Sequence, residues 1–239
     1  MVKFRQGAVG TAALISEVIC SSLLVAGGVP TLEGALVAVN GAFAASYATK
    51  PEIPYAIREG LHYGTVLRLD VENGPPLRID DLAEPAELVD LWVFDSWLCN
   101  IDRELDGNTL LTPIVGGRFG LIAADQSDCL GGSGRLADGT WTKVLEKEVP
   151  APSIEICQRA IFDSGGADAL RRAVAKICRA TDRLDEAIAS VPPDWWLEAN
   201  THPEAIREAL EVRSRRMEPI LNILLWEGLT DDIQGGHLL

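Results

Sequence analysis

No C-x-x-C pair, no G-x-S-x-G elbow, no phosphate loop of the G-x-x-x-x-G-K type and no internal repeat occurs in this chain of 239 residues. The five cysteines (Cys20, Cys99, Cys129, Cys157 and Cys178) are odd in number and widely spaced. A zinc site or a disulfide framework is therefore not expected, and a reducing, cytoplasmic setting is. Ser133 lies in a G-x-G setting, and Gly131–Gly134 is too short for a phosphate loop, so neither a hydrolase nucleophile nor a P-loop is expected. The three histidines (His62, His202 and His237) are scattered, which argues against a catalytic histidine. Basic residues are outnumbered, 21 Lys+Arg against 35 Asp+Glu, for a net charge of −14. A chain of that sign does not present a broad surface to a nucleic-acid backbone, although a small basic cluster for a nucleotide is compatible with it. Long apolar runs are also missing, apart from Ala8–Val29. Glu17 sits in the middle of that run, where a charge would cost roughly 2–3 kcal/mol to insert into a bilayer. The expectation is a soluble cytoplasmic protein with no membrane contact.

What is present is a globular composition, 47% apolar and 23% charged, in a chain long enough for a sizeable core. The pattern predicts a short extended piece from Val2 to Arg5, then a helix capped by Thr11 that runs to about Ala26. Gly27–Gly28 and Pro30 stop it. Val37–Val39 and Gly64–Asp70 read as strands, with Asn40–Gly41 as a hairpin-type turn between them. Asn73-Gly-Pro-Pro76 is the strongest break, and it divides a small mixed lobe, 1–75, from a mainly helical lobe, 76–239. In the second lobe Leu88, Leu91, Trp92 and Leu98 share one helical face. Two short strands, Thr109–Leu111 and Phe119–Ile122, follow, and then a flexible link at Gly131–Gly134. Three helices come last. Ile154, Cys157 and Ile161 mark the first, and Leu170 through Ile188 the second. The third opens on a capping box, Thr201-His-Pro-Glu204, and kinks at Pro219. The fold class is α+β.

The densest polar stretch follows the first of these apolar helices and holds Asp95, Asn100, Asp102, Arg103, Asp106 and Asn108. Asp125 stands at the end of the next apolar run. Mg²⁺ takes hard oxygen ligands and keeps phosphate and water in its shell, and a further carboxylate can receive a proton from an attacking hydroxyl. Asp102, Asn108 and Asp125 suit those tasks. Spacing alone equally suits a polar loop whose Asp and Asn side chains satisfy the backbone.

The order Phe94-Asp95, Asn100-Ile-Asp102-Arg103, Asn108 and Leu110-Leu111 resembles the catalytic loop of HipA-like kinases, a branch of the protein-kinase-like fold. The resemblance extends along nearly the whole chain in order. It implies a two-lobe kinase-like fold and an ATP-dependent transfer of the γ-phosphoryl group to a protein serine or threonine. It assigns Asp102 as the catalytic base, with Asn108 and Asp125 as Mg²⁺ ligands. Val2-Lys-Phe4 resembles the strand that carries the phosphate-binding lysine, which gives Lys3, and its glutamate partner falls on Glu17. ATP and Mg²⁺ are the implied cofactors, and a protein substrate or an antitoxin-like partner is implied beside them.

Three features differ from the family pattern. The chain begins at the lysine strand. Gly107 occupies the fifth position after Asp102, where the family has its asparagine. Gln126-Ser127 follows the metal aspartate. The alternative they motivate is a pseudokinase that acts as a nucleotide- or partner-binding module.

Overall fold

The computed structural model describes residues 1–5, 10–47, 57–73, 79–103, 108–114, 116–147 and 154–222. It is a mixed α and β fold with two small antiparallel sheets set against helices, in agreement with the α+β expectation. The first sheet is built from β1 (Val2–Lys3), β2 (Gly34–Val39) and β3 (Gly60–Thr65) in the order β1-β3-β2. Lys3 lies opposite Tyr63 in its ladder. The second sheet joins β4 (Glu72–Asn73), β5 (Thr109–Ile114) and β6 (Arg118–Ala123) in that order. The expected second strand is shifted toward the N-terminus and ends at Thr65. Asn40–Gly41 is not a hairpin turn. The Asn40 side chain accepts the Phe43 N–H at 2.8 Å and so caps a short helix, α2 (Gly41–Tyr47). Of the Asn73–Pro76 break, Asn73 belongs to β4 and the rest lies outside the described residues, as do Asp106 and Gly107.

Helix α1 (Gly10–Gly27) explains the apolar run near the N-terminus. It is long and apolar enough to cross a membrane by composition, yet 78% of its span is buried within the fold. A helix apolar on every side needs a core on every side. Here α1 packs against β3 and against four helices: α4 (Ser133–Asp138), α7 (Ala167–Thr181), α8 (Leu184–Ala189) and α9 (Pro193–Glu198). Leu14, Ile15, Ile19, Leu23 and Leu24 are fully buried, and each such side chain contributes roughly 1.5–3 kcal/mol of transfer free energy. Thr11 lies inside the first turn of α1 and does not precede it, and its hydroxyl has no partner among the described residues.

The central helix α3 (Pro85–Leu98) starts on Glu84 with Pro85 at its first position and is buried on all sides from Leu88 onward. It rests on α6 (Ile154–Asp163), α7 and α10 (Pro203–Arg215). Between α4 and α6 lies a short helix, α5 (Trp141–Leu145). Gly131 and Gly132 form a buried turn leading into α4, so the stretch is not a free link. The second predicted helix is divided at Asp182–Arg183 into α7 and α8. At the third, His202 and not Thr201 is the N-cap residue, without a side-chain capping bond. The expected kink takes the form of a break at Arg216, after which 217–222 are helical again. A proline at 219 would collide with the Arg215 carbonyl of a continuous helix.

Gly27 closes α1 against the Phe94 ring of α3. A β-carbon there would fall 2.1 Å from Phe94 Cζ, far inside contact distance. Gly27→Ala should therefore cost about 1–3 kcal/mol in urea unfolding, despite the better helix propensity of alanine. Phe94→Leu in the same chain should recover part of the loss.

Candidate functional site

Three separate stretches bring the candidate residues together. The first is β1 with α1. The Lys3 ammonium is ion-paired to Glu17 Oε1 and donates to Asp125 Oδ1 at 2.6 Å. Glu17 is 2% exposed, in the middle of an otherwise apolar helix, and a carboxylate held there requires a partner. Its position is set by the helix, which turns residue 17 toward the sheet edge where Lys3 emerges.

The second stretch is the end of α3. Cys99 adopts a left-handed conformation, φ 52°, and ends the helix. The chain then folds back, and the Asn100 side chain donates to Asp95 Oδ1 and accepts the Asp102 N–H at 3.0 Å. Asp102 itself is exposed. Arg103, 3% exposed, ties this loop to everything around it. Its Nε and Nη2 grip the fully buried Asp95 carboxylate at 2.8 and 3.1 Å. Nη2 also donates to Gln126 Oε1 at 2.7 Å, and Nη1 donates to the carbonyls of Asn108 and Ala124. Burial alone would lower the Arg103 pKa, but the Asp95 carboxylate outweighs it, so the guanidinium stays charged.

The third stretch is the β5–β6 hairpin, whose two open ends carry Asn108 and Asp125. Thr109 pairs with Ala123, and the Ala124 N–H donates to the Asn108 carbonyl at 3.0 Å, so the two candidate ligands flank the same ladder end. Asn108 Nδ2 donates to the Asp102 carbonyl at 2.7 Å and to Asp102 Oδ2 at 3.1 Å. A parallel bridge from Thr31 to Ala123 ties this ladder end to the segment entering β2, and so to the first sheet. Asp125 has φ 51°, a left-handed conformation that a non-glycine residue adopts at a cost.

All five residues expected from the sequence thus form one connected chain: Glu17 to Lys3, Lys3 to Asp125, Asp125 across the ladder end to Asn108, and Asn108 to Asp102. Lys3, Glu17 and Asp125 together carry one net negative charge. Burial pushes Glu17 above the usual carboxylate range, and the Lys3 charge only partly offsets this. Burial would lower Lys3, but the two carboxylates prevail and raise it. Asp125 is also driven up by burial, yet the hydrogen bonds from Lys3 and Ser127 bring it down to about 2. The unfolded chain therefore binds more protons than the folded one between the ordinary aspartate value of 3.8 and about 2. The contribution of Asp125 to stability is complete above that window and is lost as the pH falls through it. Acid titration followed by tryptophan fluorescence should show this loss between roughly pH 4 and 2, and Asp125→Asn should remove it.

Mg²⁺ is bound through one or two carboxylates plus phosphate and water. The donor set fits. Asp125 Oδ1 accepts from Lys3 and from the Ser127 N–H and hydroxyl, whereas Oδ2 has no partner among the described residues. The carboxamide oxygen of Asn108 is likewise left without one. Among the described residues no cluster of three or more His, Cys, Asp or Glu offers an all-protein cage. An ammonium has three donors, and two N–H groups of Lys3 are committed, so one is left for an anionic oxygen.

Sequence reasoning did not foresee the part played by Gln126 and Ser127. Gln126 Oε1 receives Arg103, its backbone N–H donates to Glu17, and Ser127 holds Asp125. A serine two residues after an aspartate is a recognisable turn signal; the use of the glutamine had none. The chain matches no protein-family model and no curated protein.

Proposed function

We propose that this protein is a nucleotide-binding phosphotransferase of the HipA-like kinase type, with ATP as phosphoryl donor and a protein serine or threonine as acceptor. The observation that carries the reading is the bond from Lys3 to both Glu17 and Asp125, residues 14 and 122 positions away. A strand lysine, a helix glutamate and an aspartate at a ladder end meet in the order that the resemblance requires. In this reading the β1-β3-β2 sheet with α1 forms the smaller lobe, and the helices around α3 form the larger.

The chemistry asks for positioning and charge neutralisation more than for covalent help. Lys3, kept in place by Glu17, offers its remaining N–H to the donor's phosphate oxygens. Asp125 and Asn108 would hold Mg²⁺, which supplies further neutralisation of phosphate charge when bound. Asp102, exposed and braced by Asn108, orients the acceptor hydroxyl and takes its proton. Arg103 does not reach the reacting atoms; it fixes the loop to the ladder end, so Asp102 and Asp125 keep their separation.

The second reading is a pseudokinase that binds nucleotide without transfer. It is favoured by the engagement of Asp102 Oδ2 with Asn108 and by the three donors that already occupy Asp125 Oδ1. Thermal-shift titration with Mg·ATP and incubation with γ-labelled ATP separate the two. A raised melting temperature with labelled protein or released phosphate supports the kinase. A raised melting temperature without turnover supports the pseudokinase, and no shift removes both.

A further inference from the structure

A well-formed cleft lies away from the residues just discussed. It has a volume of about 780 Å³, and none of Lys3, Glu17, Asp102, Asn108 or Asp125 lines it. It lies between α1, the start of β2, Tyr63 of β3 and the α8 helix. Its size is that of a small-molecule site. Small side chains create the space: Ala26 of α1, Gly34 and Ala35 of β2, and Ala187 of α8. Val18 and Val25 supply an apolar wall, and Ser21, Ser22 and Ser190 supply polar points.

The charges at the cleft have a definite sign. Arg183, which precedes α8 as its N-cap residue, and Glu186 of α8 are paired with each other. Glu33 is exposed and has no ion pair among the described residues, so the lining carries one unanswered negative charge. An occupant with an apolar body and one cationic group complements both the walls and the rim.

Tyr63 is shared between this cleft and the candidate nucleotide site. Its backbone stands opposite Lys3 in the β1–β3 ladder. Its hydroxyl donates to Ser21 Oγ at 3.1 Å, and Ser21 follows Glu17 by one turn of α1. There is no slack on the other side, since a β-carbon on Gly34 would fall 2.2 Å from the phenol oxygen. A body pressed against this ring acts on both elements that hold the Lys3–Glu17 pair.

We infer that the cleft behind α1 is a second ligand site for a small cationic amphiphile, and that its occupancy is transmitted through Tyr63 to the β1–α1 junction. The binding does not depend on the kinase reading, and the test below reads no turnover, so either can fail without the other. The full chain is titrated with 3-phenylpropylamine and, separately, with 3-phenylpropionate. Two-dimensional NMR follows binding, and amide hydrogen exchange follows β1 and β3. The amine should bind about tenfold more tightly than the carboxylate and slow exchange in β1 and β3 at least threefold. Glu33→Gln should weaken the amine about threefold, the size expected for one exposed ion pair. Ala35→Trp, at an exposed lining position, should abolish binding of both probes. Tyr63→Phe should retain amine binding but lose the change in exchange. Equal binding of the two probes, or binding that survives Ala35→Trp, overturns the site. Binding by the amine with unchanged exchange in wild type overturns the coupling.

Discussion

Arg103→Met should lower the free energy of unfolding by about 3–5 kcal/mol, the cost of leaving one member of a buried ion pair uncompensated. Asp95 is fully buried and receives two of the Arg103 donors, so the methionine variant strands a carboxylate in the core. It also leaves the Ala124 carbonyl without its guanidinium donor and removes one donor each from the Asn108 carbonyl and Gln126 Oε1. Arg103→Lys should rescue little, because a single ammonium cannot reproduce a planar fork that spans three stretches of chain. Asp95→Asn combined with Arg103→Met should be less destabilised than Arg103→Met alone, since the buried charge is then gone. Urea unfolding by tryptophan fluorescence checks all three. A loss under about 1 kcal/mol for Arg103→Met would mean that the loop is held by something else.

The second large effect is expected at Asp102, with the opposite division between stability and activity. Under the proposed kinase reading, Asp102→Asn should reduce phosphoryl transfer by about 10²–10⁴-fold, the usual contribution of a positioned general base. Stability should stay within about 0.5 kcal/mol, as for most exposed positions. The side chain is exposed, and an asparagine oxygen can still accept the Asn108 carboxamide. Binding of Mg·ATP, read as a thermal shift, should survive. Equal transfer by wild type and variant would remove Asp102 from the chemistry even if nucleotide binds. The contrast with Arg103 is diagnostic: Arg103 holds the loop, and in the proposed kinase reading Asp102 uses it.

Much of the fold was legible because period and punctuation are local properties. The helix α3, the start of α6 and the two strands around the hairpin follow from side-chain type and spacing, whereas the single apolar face expected for α3 gives way to burial on all sides from Leu88 onward. The misreadings share a physical cause. Asparagine before glycine serves both a turn and a helix cap, so Asn40–Gly41 alone does not decide between them; the chain that follows does. The long second helix of the C-terminal part divides at Asp182–Arg183 although its apolar spacing runs on. At Gly131–Gly132 composition cannot distinguish a free link from a turn buried in the fold.

By itself, the sequence determined that Glu17 must be paired, since a carboxylate in the middle of an apolar helix cannot be left alone in a core. It also determined the order in which lysine, glutamate, aspartate and asparagine arrive along the chain. Only the tertiary structure decided who the partners are. Lys3 reaches Asp125 because the segment before β2 is bridged to the end of β6, and Asp102 is held near that end because Arg103 binds the carbonyls of Asn108 and Ala124, the residues that flank the two strands there. These contacts join residues far apart in the chain, and their energy depends on burial and on three-dimensional proximity, which no local pattern of residues encodes.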